Sequence, residues 1–214
     1  PAGQAATVDP LTAARRRADA DPLLVEWTGA YGGVPPFDLV SVPKLRASFA
    51  LAIALFEAEI AAVANDPRPA TFENTMVPLD NAGEHLDRAM AYFGVLTNNL
   101  TNEEVNALDA EMSPRLAAVG DAVYFNRTLF DRLMRLTEQK ESLAPAEQRL
   151  LMLTIETWRR RGAGLDAAAQ KQLGDINQEL ERKYTEFSRR LQADEDTWIV
   201  VEQEAELAGL AADF

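Results

Sequence analysis

The side chains that most often carry out chemistry are scarce in this sequence. There is one histidine, His85, directly after Glu84, and there is no cysteine. A helix that binds catalytic zinc needs two histidines one turn apart with a glutamate beside them, in the order HExxH. The residue one turn after His85 is Ala89, which cannot bind a metal, and Ala82 stands where a Glu-x-x-His pair would need its glutamate. We therefore expect His85 to be structural, and we expect no catalytic, cofactor-binding or metal-binding residue in this chain.

Other chemistries find little support. Without cysteine there is no disulfide, no thiolate nucleophile and no sulfur ligand for zinc. A Ser-His-Asp arrangement could in principle use His85, but no nucleophile–base pair is evident in the sequence. Glu202, Glu204 and Glu206 alternate, so on a strand they would share one face. Such an edge could bind a cation or an amine, but an acidic solvated edge that deters aggregation is the favoured interpretation.

One short stretch, RPATFENT at residues 68–75, is unusually specific. Thr71 stands where a helix N-cap belongs, and its hydroxyl can accept a hydrogen bond from a backbone N–H of the first turn. Glu73 would lie in that turn, where the helix dipole favours a negative charge. This structural interpretation leaves Asn74 unexplained, because asparagine is a poor residue inside a helix.

The composition favours an all-α protein that does not bind nucleic acid. Hydrophobic residues make up 47% of the 214, mostly Ala and Leu, which are strong helix formers, and aromatic residues only 7%. The formal net charge of -13 would repel a phosphate backbone. No stretch is expected to span a membrane, since none approaches the ~20 apolar residues required. The basic cluster at 15–17 is interpreted as a solvated helix face.

Six amphipathic helices are predicted from apolar residues spaced three and four apart. Their apolar stripes begin at Leu45, Met76, Val105, Leu129, Leu150 and Leu173. A core is expected to include Phe49, Phe56, Phe72 and Phe93. The sixth stripe continues through Ile176, Leu180, Tyr184, Phe187 and Leu191. We expect this long helix to pack antiparallel on the fifth helix across the GAGLD link.

Local signals set the expected ends of these helices. Pro78 should kink the second helix or delay its start, and Pro114 should interrupt the third. Thr101 with Glu104 predicts a capping box for the third helix. The remaining expected signals are caps at Asn126 and Asp166, a helix start at Pro145 and a helix stop at Gly162.

The chain divides into three expected regions. Residues 1–36 are predicted to be weakly structured and to end in a Gly/Pro-rich linker, and residues 37–193 form the helical domain. In residues 194–214 the run TWIVV, 197–201, predicts a short strand that leads into a region absent from this sequence. A lone strand needs a partner, so we expect a weak homodimer in which this strand pairs antiparallel with its copy.

The order of motifs along the chain resembles a known family. The motifs are PPFDLVSVPKLRASFALAI, RPATFENT, EMSPRLAAVGDAVYFNRTLF, APAEQRLLMLTIETWRRRGAGLD, INQELERKYTEFSRRL and DTWIVVEQEAELAGL. Together they are similar to the amino-terminal region of the thimet-oligopeptidase-like zinc metallopeptidases, in particular the bacterial peptidyl-dipeptidase (dipeptidyl carboxypeptidase) branch.

The resemblance implies a neurolysin-like, mostly helical fold in which amino-terminal helices form one wall of a deep channel and restrict substrate size. It also implies that zinc is bound by the full-length parent through an HExxH helix and a later glutamate, which this sequence does not contain. The oligopeptide substrate would then meet this chain only through the missing catalytic half. A dipeptide would be released from the substrate's C-terminus, and the chain alone would be inactive.

A second interpretation remains open, in which the chain is a non-catalytic helical scaffold or binding module. The sequence leaves open the peptide specificity, the oligomeric state and the bacterial compartment, cytoplasm or periplasm. It also leaves open the roles of His85 and Asn74 and whether the native protein is longer.

Overall fold

The computed structural model describes residues 9–30, 33–195 and 200–210, and within these ranges the regular structure is helical throughout. The α-helices are α1 Pro10–Ala18, α2 Val42–Ala64, α3 Val77–Asp80, α4 Glu84–Asn99, α5 Glu103–Tyr124, α6 Arg127–Thr137, α7 Pro145–Arg160 and α8 Ala167–Glu195. A π-helical turn, Phe72–Met76, precedes α3, and single 3-10 turns lie at Phe37–Leu39, Lys140–Ser142 and Glu204–Leu207. The all-α prediction is confirmed.

Helix α2 is the centre of the fold and contributes to two hydrophobic clusters. Its first half packs with α1, α4 and α5, where Phe49 meets Phe93 edge-on at 5.5 Å between ring centroids. Its last turns pack with the 70–76 segment, α6 and α7, where Trp158 stacks on Phe130 at 6.3 Å. The two clusters bury apolar side chains on both sides of α2, and this burial is the main stabilising term of the fold.

The expectation that no stretch could cross a membrane is wrong by length and composition alone. Helix α2 has 23 residues and a mean hydropathy of 1.8, which meets those two criteria. In the fold 44% of its most apolar window is buried among other helices. The apolar character of α2 is explained by its central place between two clusters, because a core helix must be apolar nearly all round.

The prediction that residues 1–36 are weakly structured is also wrong for the described part. Helix α1 is capped by Asp9, whose carboxylate accepts from the Thr12 N–H at 3.1 Å, and it packs along α2. Leu23 and Leu24, just after α1, are fully buried in the first cluster. Because the inward positions of α1 are alanines, Ala14 and Ala18, the helix produces only a weak hydrophobic pattern.

Two proline predictions have different outcomes. Pro78 stands in the first turn of α3, and the expected second helix is divided there: α3 ends at Asp80, and Gly83, with φ of 95°, precedes α4. Helix α5, in contrast, continues through Pro114, so the expected interruption is wrong. Its N-cap is Asn102, whose side chain accepts from the Val105 N–H, in place of the predicted Thr101–Glu104 box.

The other end signals hold. Asn126 caps α6 by accepting from the Leu129 N–H at 3.0 Å, and Asp166 caps α8 by accepting from the Ala169 N–H at 2.9 Å. Pro145 is the first residue of α7. Gly162 follows the end of α7 with φ of 98°, a left-handed conformation that ends helices readily at glycine.

Helix α8 packs along α5. The prediction that it packs on α7 is therefore wrong. The residues that face α5 are small or polar: Gly174 lies against the Phe125 ring and Asp121, and Asn177 Nδ2 donates to both Asp121 carboxylate oxygens at 2.9 and 3.1 Å. The side of α8 that packs on α5 is therefore polar, and the hydrogen bonds between Asn177 and Asp121 hold the two helices together.

The predicted strand at 197–201 falls mostly on residues 197–199, which lie outside the described residues. Val200 and Val201 have no regular secondary structure, so the described part gives the strand no support. The segment Glu204–Leu207 is a 3-10 turn, and Glu206 Oε2 accepts from the Glu202 N–H at 3.2 Å. The backbone therefore turns where a strand would continue, so the condition for a shared face of the alternating glutamates is not met in the described residues.

Candidate functional site

The stretch 68–75 forms a rigid corner between α2 and α3. Thr71 is the N-cap: its Oγ1 accepts from the Asn74 N–H at 3.2 Å. Asn74 Oδ1 accepts in return from the Thr71 N–H at 2.8 Å, which completes a capping box with the shorter Asn where Glu or Gln is usual. Asn74 Nδ2 also donates to the Pro69 carbonyl at 2.9 Å. The Asn74 side chain thus fixes the backbone at both Pro69 and Thr71, so its role is structural.

A buried arginine from a distant helix holds this corner in place. Arg132 on α6 is 5% exposed, and its guanidinium donates to four oxygens. Nε donates to Thr75 Oγ1 at 2.9 Å and Nη2 to Asn74 Oδ1 at 2.9 Å. Nη1 donates to the carbonyls of Asp66 and Arg68 at 2.8 and 3.0 Å. The planar fork of donors suits this set of oxygens, which a single ammonium could not serve at once.

An ion pair between Asp66 and Arg68 lies at the start of the corner. The Arg68 backbone N–H donates to Asp66 Oδ1 at 2.9 Å, and its guanidinium binds both carboxylate oxygens, the shortest contact being 2.7 Å. These bonds, first from the Arg68 side chain and then from its backbone, lower the pKa of Asp66 from 3.8 to about 2. Asp66 therefore remains a carboxylate at any physiological pH.

An open groove of about 1160 Å³ lies between α1, α2 and the corner. Arg15 and Glu59, which form an ion pair at 2.7 Å, line it together with His85, whose Nε2 lies 2.8 Å from Asp19 Oδ1. Glu59 Oε2 also accepts from the Gly83 N–H at 3.0 Å. These contacts tie α1 to α2 and to the start of α4, so His85 has a structural partner in the described fold.

The polar and charged side chains of the groove could bind a ligand. The described residues do not form a catalytic centre there. That part of the chain contains no group of three His, Cys, Asp or Glu side chains placed to hold a metal ion. Among the described residues, the side-chain partner of His85 is the Asp19 carboxylate, and no hydroxyl nucleophile forms a hydrogen bond with its ring. The zinc that the family resemblance implies therefore does not fit any set of described side chains.

The residue that sequence reasoning missed is Arg132. Its signal was present: Arg132 lies three residues after Leu129 and four before Leu136, both buried, so it occupies the apolar side of α6. A long charged residue at such a position must find partners inside the protein or leave a charge buried without compensation.

Comparisons with known proteins agree with the motif order. The chain is 32% identical over 194 residues to the dipeptidyl carboxypeptidase of Escherichia coli, a match that covers 89% of the chain. It is 29% identical over 161 residues to the dipeptidyl carboxypeptidase of Salmonella typhimurium, covering 74% of the chain. These matches span only 28% and 24% of the two enzymes. No protein-family model matches the chain. The resemblance to part of a dipeptidyl carboxypeptidase is thereby confirmed.

Proposed function

We propose that this chain is a non-catalytic helical region, at the amino-terminal end, of a zinc-dependent dipeptidyl carboxypeptidase. The observation that carries the proposal is the similarity itself: 32% identity over 89% of the chain, matched to only 28% of the Escherichia coli enzyme. The whole enzyme would release dipeptides from the C-termini of oligopeptides. In this proposal the zinc and its ligands belong to the remainder of the enzyme, since no set of described side chains here fits a metal ion.

The proposed role of this region is to form a wall beside the oligopeptide substrate and to limit what can enter. The groove supports this role because it is open, large enough for a short peptide segment and lined by charges of both signs. Its floor is rigid, because Asn74 and Arg132 fix the 66–75 backbone through hydrogen bonds. A rigid polar wall can orient a peptide without taking part in bond cleavage.

The first test concerns the isolated chain. Incubated with an N-blocked tripeptide and added zinc or cobalt, it is expected to release no C-terminal dipeptide, because HExxH is absent from its sequence. The matched positive sample is the product of the complete gene, obtained by sequencing to both sides of the region that encodes these residues. Metal-dependent release by the isolated chain, lost on chelation, would contradict the proposal, as would a complete gene that encodes no HExxH.

The second test addresses the proposed role of the groove as a wall beside the oligopeptide substrate. Glu73 is exposed, lines the groove and lies in the first turn after Thr71. In the complete enzyme, Glu73→Lys is expected to change the KM of a charged oligopeptide severalfold with little change in kcat, because the substitution alters binding and not the reacting groups. Glu141→Lys, at a side chain that is 85% exposed and outside the groove, is the control with the same charge change. Equal KM values for the two variants would refute the wall role.

A further inference from the structure

Helix α8 presents an apolar side to solvent within the described fold. Five large residues on it are between 46% and 64% exposed: Ile176, Leu180, Tyr184, Phe187 and Leu191. We call these five residues the α8 stripe. At about 100° per residue, the stripe lies roughly a quarter turn around the helix from Gly174 and Asn177, which face α5. Packing on α5 therefore leaves the stripe uncovered.

The stripe forms a straight row along the helix. Its residues repeat every eleven positions, Ile176 with Phe187 and Leu180 with Leu191. An eleven-residue repeat corresponds to about 3.67 residues per turn, close to the ideal helix, so the stripe winds little around α8. From Ile176 to Leu191 it is about 22 Å long at ~1.5 Å per residue. A row of this shape can contact another regular element along its whole length.

The preceding helix, α7, also exposes apolar side chains. Leu150, Met152 and Leu153 are 40%, 47% and 46% exposed. The stripe alone exposes on the order of 500–600 Å² if a large side chain contributes ~200 Å². That area is already near the upper end of the ~300–600 Å² typical of the largest apolar patch on a monomer. Apolar exposure on two successive helices therefore indicates that further protein covers this part of the chain.

The charge of the chain disfavours a second copy as that cover. Each copy carries a formal net charge of -13, so two copies repel each other. Two stripes packed together would bury only roughly 1,000–1,200 Å², at or below the lower end of specific interfaces. Both considerations favour a cover that belongs to the same polypeptide, because such a cover does not have to be recruited from solution.

The similarity to dipeptidyl carboxypeptidase supports a cover of that kind. The match includes 89% of the chain, and hence most of α8 wherever it begins, but only 28% of the Escherichia coli enzyme. In the proposed function most of the enzyme is therefore joined to α8 in one polypeptide. A joined segment has an effective concentration up to the millimolar range, so an apolar contact of a few hundred Å² is sufficient to hold it in place.

We propose that the α8 stripe is an internal docking face of the complete enzyme, covered by an apolar surface of the chain that lies outside these 214 residues. This inference rests on the proposed function, because it requires the longer polypeptide. Leu180 and Phe187, in the stripe, are then buried in the complete enzyme. Gln178 is exposed and lies on nearly the opposite side of α8, so it remains accessible.

The first experiment compares thiol labelling in the isolated chain and in the complete enzyme. The 214 residues contain no cysteine, so Leu180→Cys and the control Gln178→Cys each add one thiol at a known place, which mass spectrometry of the labelled peptide identifies. In the isolated chain both thiols react quickly. In the complete enzyme the reaction at residue 180 is expected to be at least a hundredfold slower, while the reaction at residue 178 changes less than threefold.

Three results of the labelling experiment would overturn the inference. The first is fast labelling of residue 180 in the complete enzyme, and the second is equal protection of residues 178 and 180, which would mean that the cover does not select the apolar side. The third is protection that disappears on dilution as sedimentation velocity shows a dimer dissociating. That result would assign the cover to a second copy.

The second experiment makes the same substitution in both proteins. Leu180→Glu should leave the urea midpoint of the isolated chain unchanged, because the side chain is 46% exposed there. In the complete enzyme it should lower the unfolding temperature by ~3 °C or more, because the carboxylate would be buried. Gln178→Glu adds the same charge and should change neither protein. A complete enzyme that fails to fold while the isolated variant folds is the extreme form of the expected result, and Leu180→Ala gives a milder variant. Equal effects of Leu180→Glu in the two proteins would contradict the inference.

Failure of this inference can be told apart from failure of the proposed function. A complete gene that encodes no HExxH contradicts the proposed function whatever the labelling shows. A complete enzyme that has HExxH and releases dipeptides, but labels quickly at residue 180, contradicts the docking face alone.

Discussion

Replacing the buried Arg132 with methionine tests whether the corner depends on one distant side chain. Methionine keeps an unbranched apolar stem of similar reach and removes every donor of the guanidinium. Four oxygens then lose a hydrogen bond, two of them the backbone carbonyls of Asp66 and Arg68. Thr75 and Asn74 keep a hydrogen bond to each other, so their loss is smaller.

The expected loss in the free energy of unfolding comes mainly from the two backbone carbonyls that lose their donor. A partly buried acceptor left without a donor costs ~1–3 kcal/mol, so Arg132→Met should lower the free energy of unfolding by about 4 kcal/mol. This is a large share of the ~5–15 kcal/mol that stabilises a typical domain. Arg132→Lys retains a charge but has only one nitrogen, which cannot reach all four oxygens, so its cost should be about half as large.

Urea unfolding measures the effect. With a slope of ~2–3 kcal/mol per molar, the midpoint of Arg132→Met should fall by about 1.5 M while the slope is unchanged. Arg135→Met is the matched control, because Arg135 is on the same helix and exposed, and its effect should stay within ~0.5 kcal/mol.

A double-mutant cycle with Asn74→Ala should show non-additive losses, because Arg132 Nη2 bonds to Asn74 Oδ1. An Arg132→Met chain no less stable than the Arg135→Met chain would refute the role assigned to the guanidinium.

Three further outcomes are expected. Because the folded pKa of Asp66 lies near 2, below its usual 3.8, the stability that this carboxylate contributes is present above pH 3.8 and is lost as the pH falls towards 2. An NMR titration should give that low midpoint, and Arg68→Met should raise it. Tyr92→Phe removes the acceptor of the Trp27 Nε1 bond, at 3.1 Å, and should cost ~1 kcal/mol in thermal or urea unfolding, whereas a neutral substitution would contradict the bond's importance. Circular dichroism should show a helical spectrum, since 74% of the described residues are helical, and a strand content near the globular average of ~20–25% would contradict it.

Local signals in the sequence were sufficient for much of the fold. Thr71, Asn126 and Asp166 cap helices as predicted, because a cap depends on backbone groups only two or three residues away. The role of Asn74 could not be predicted in the same way, since part of its network comes from Arg132, 58 positions later in the chain. Only the fold brings the two together.

Helix α8 shows a different limit of sequence reasoning. Its apolar positions were identified correctly, but burial was assumed to follow from them. The described fold instead packs Gly174 and Asn177 against α5 and exposes Phe187. A pattern shows which face of a helix is apolar, but it does not show which surface covers that face.

The shared use of α2 by both hydrophobic clusters has a consequence for how the protein opens. Phe56 packs on the second cluster and Ala58 on the first, so the two clusters interleave within one helical turn. Melting either cluster removes the support of one half of a helix whose turns form cooperatively. Amide protons in the middle of α2 should therefore exchange with solvent only when the whole domain unfolds, as one foldon. A destabilising substitution in the 68–75 corner should therefore accelerate amide proton exchange even in the part of α2 that packs against α1.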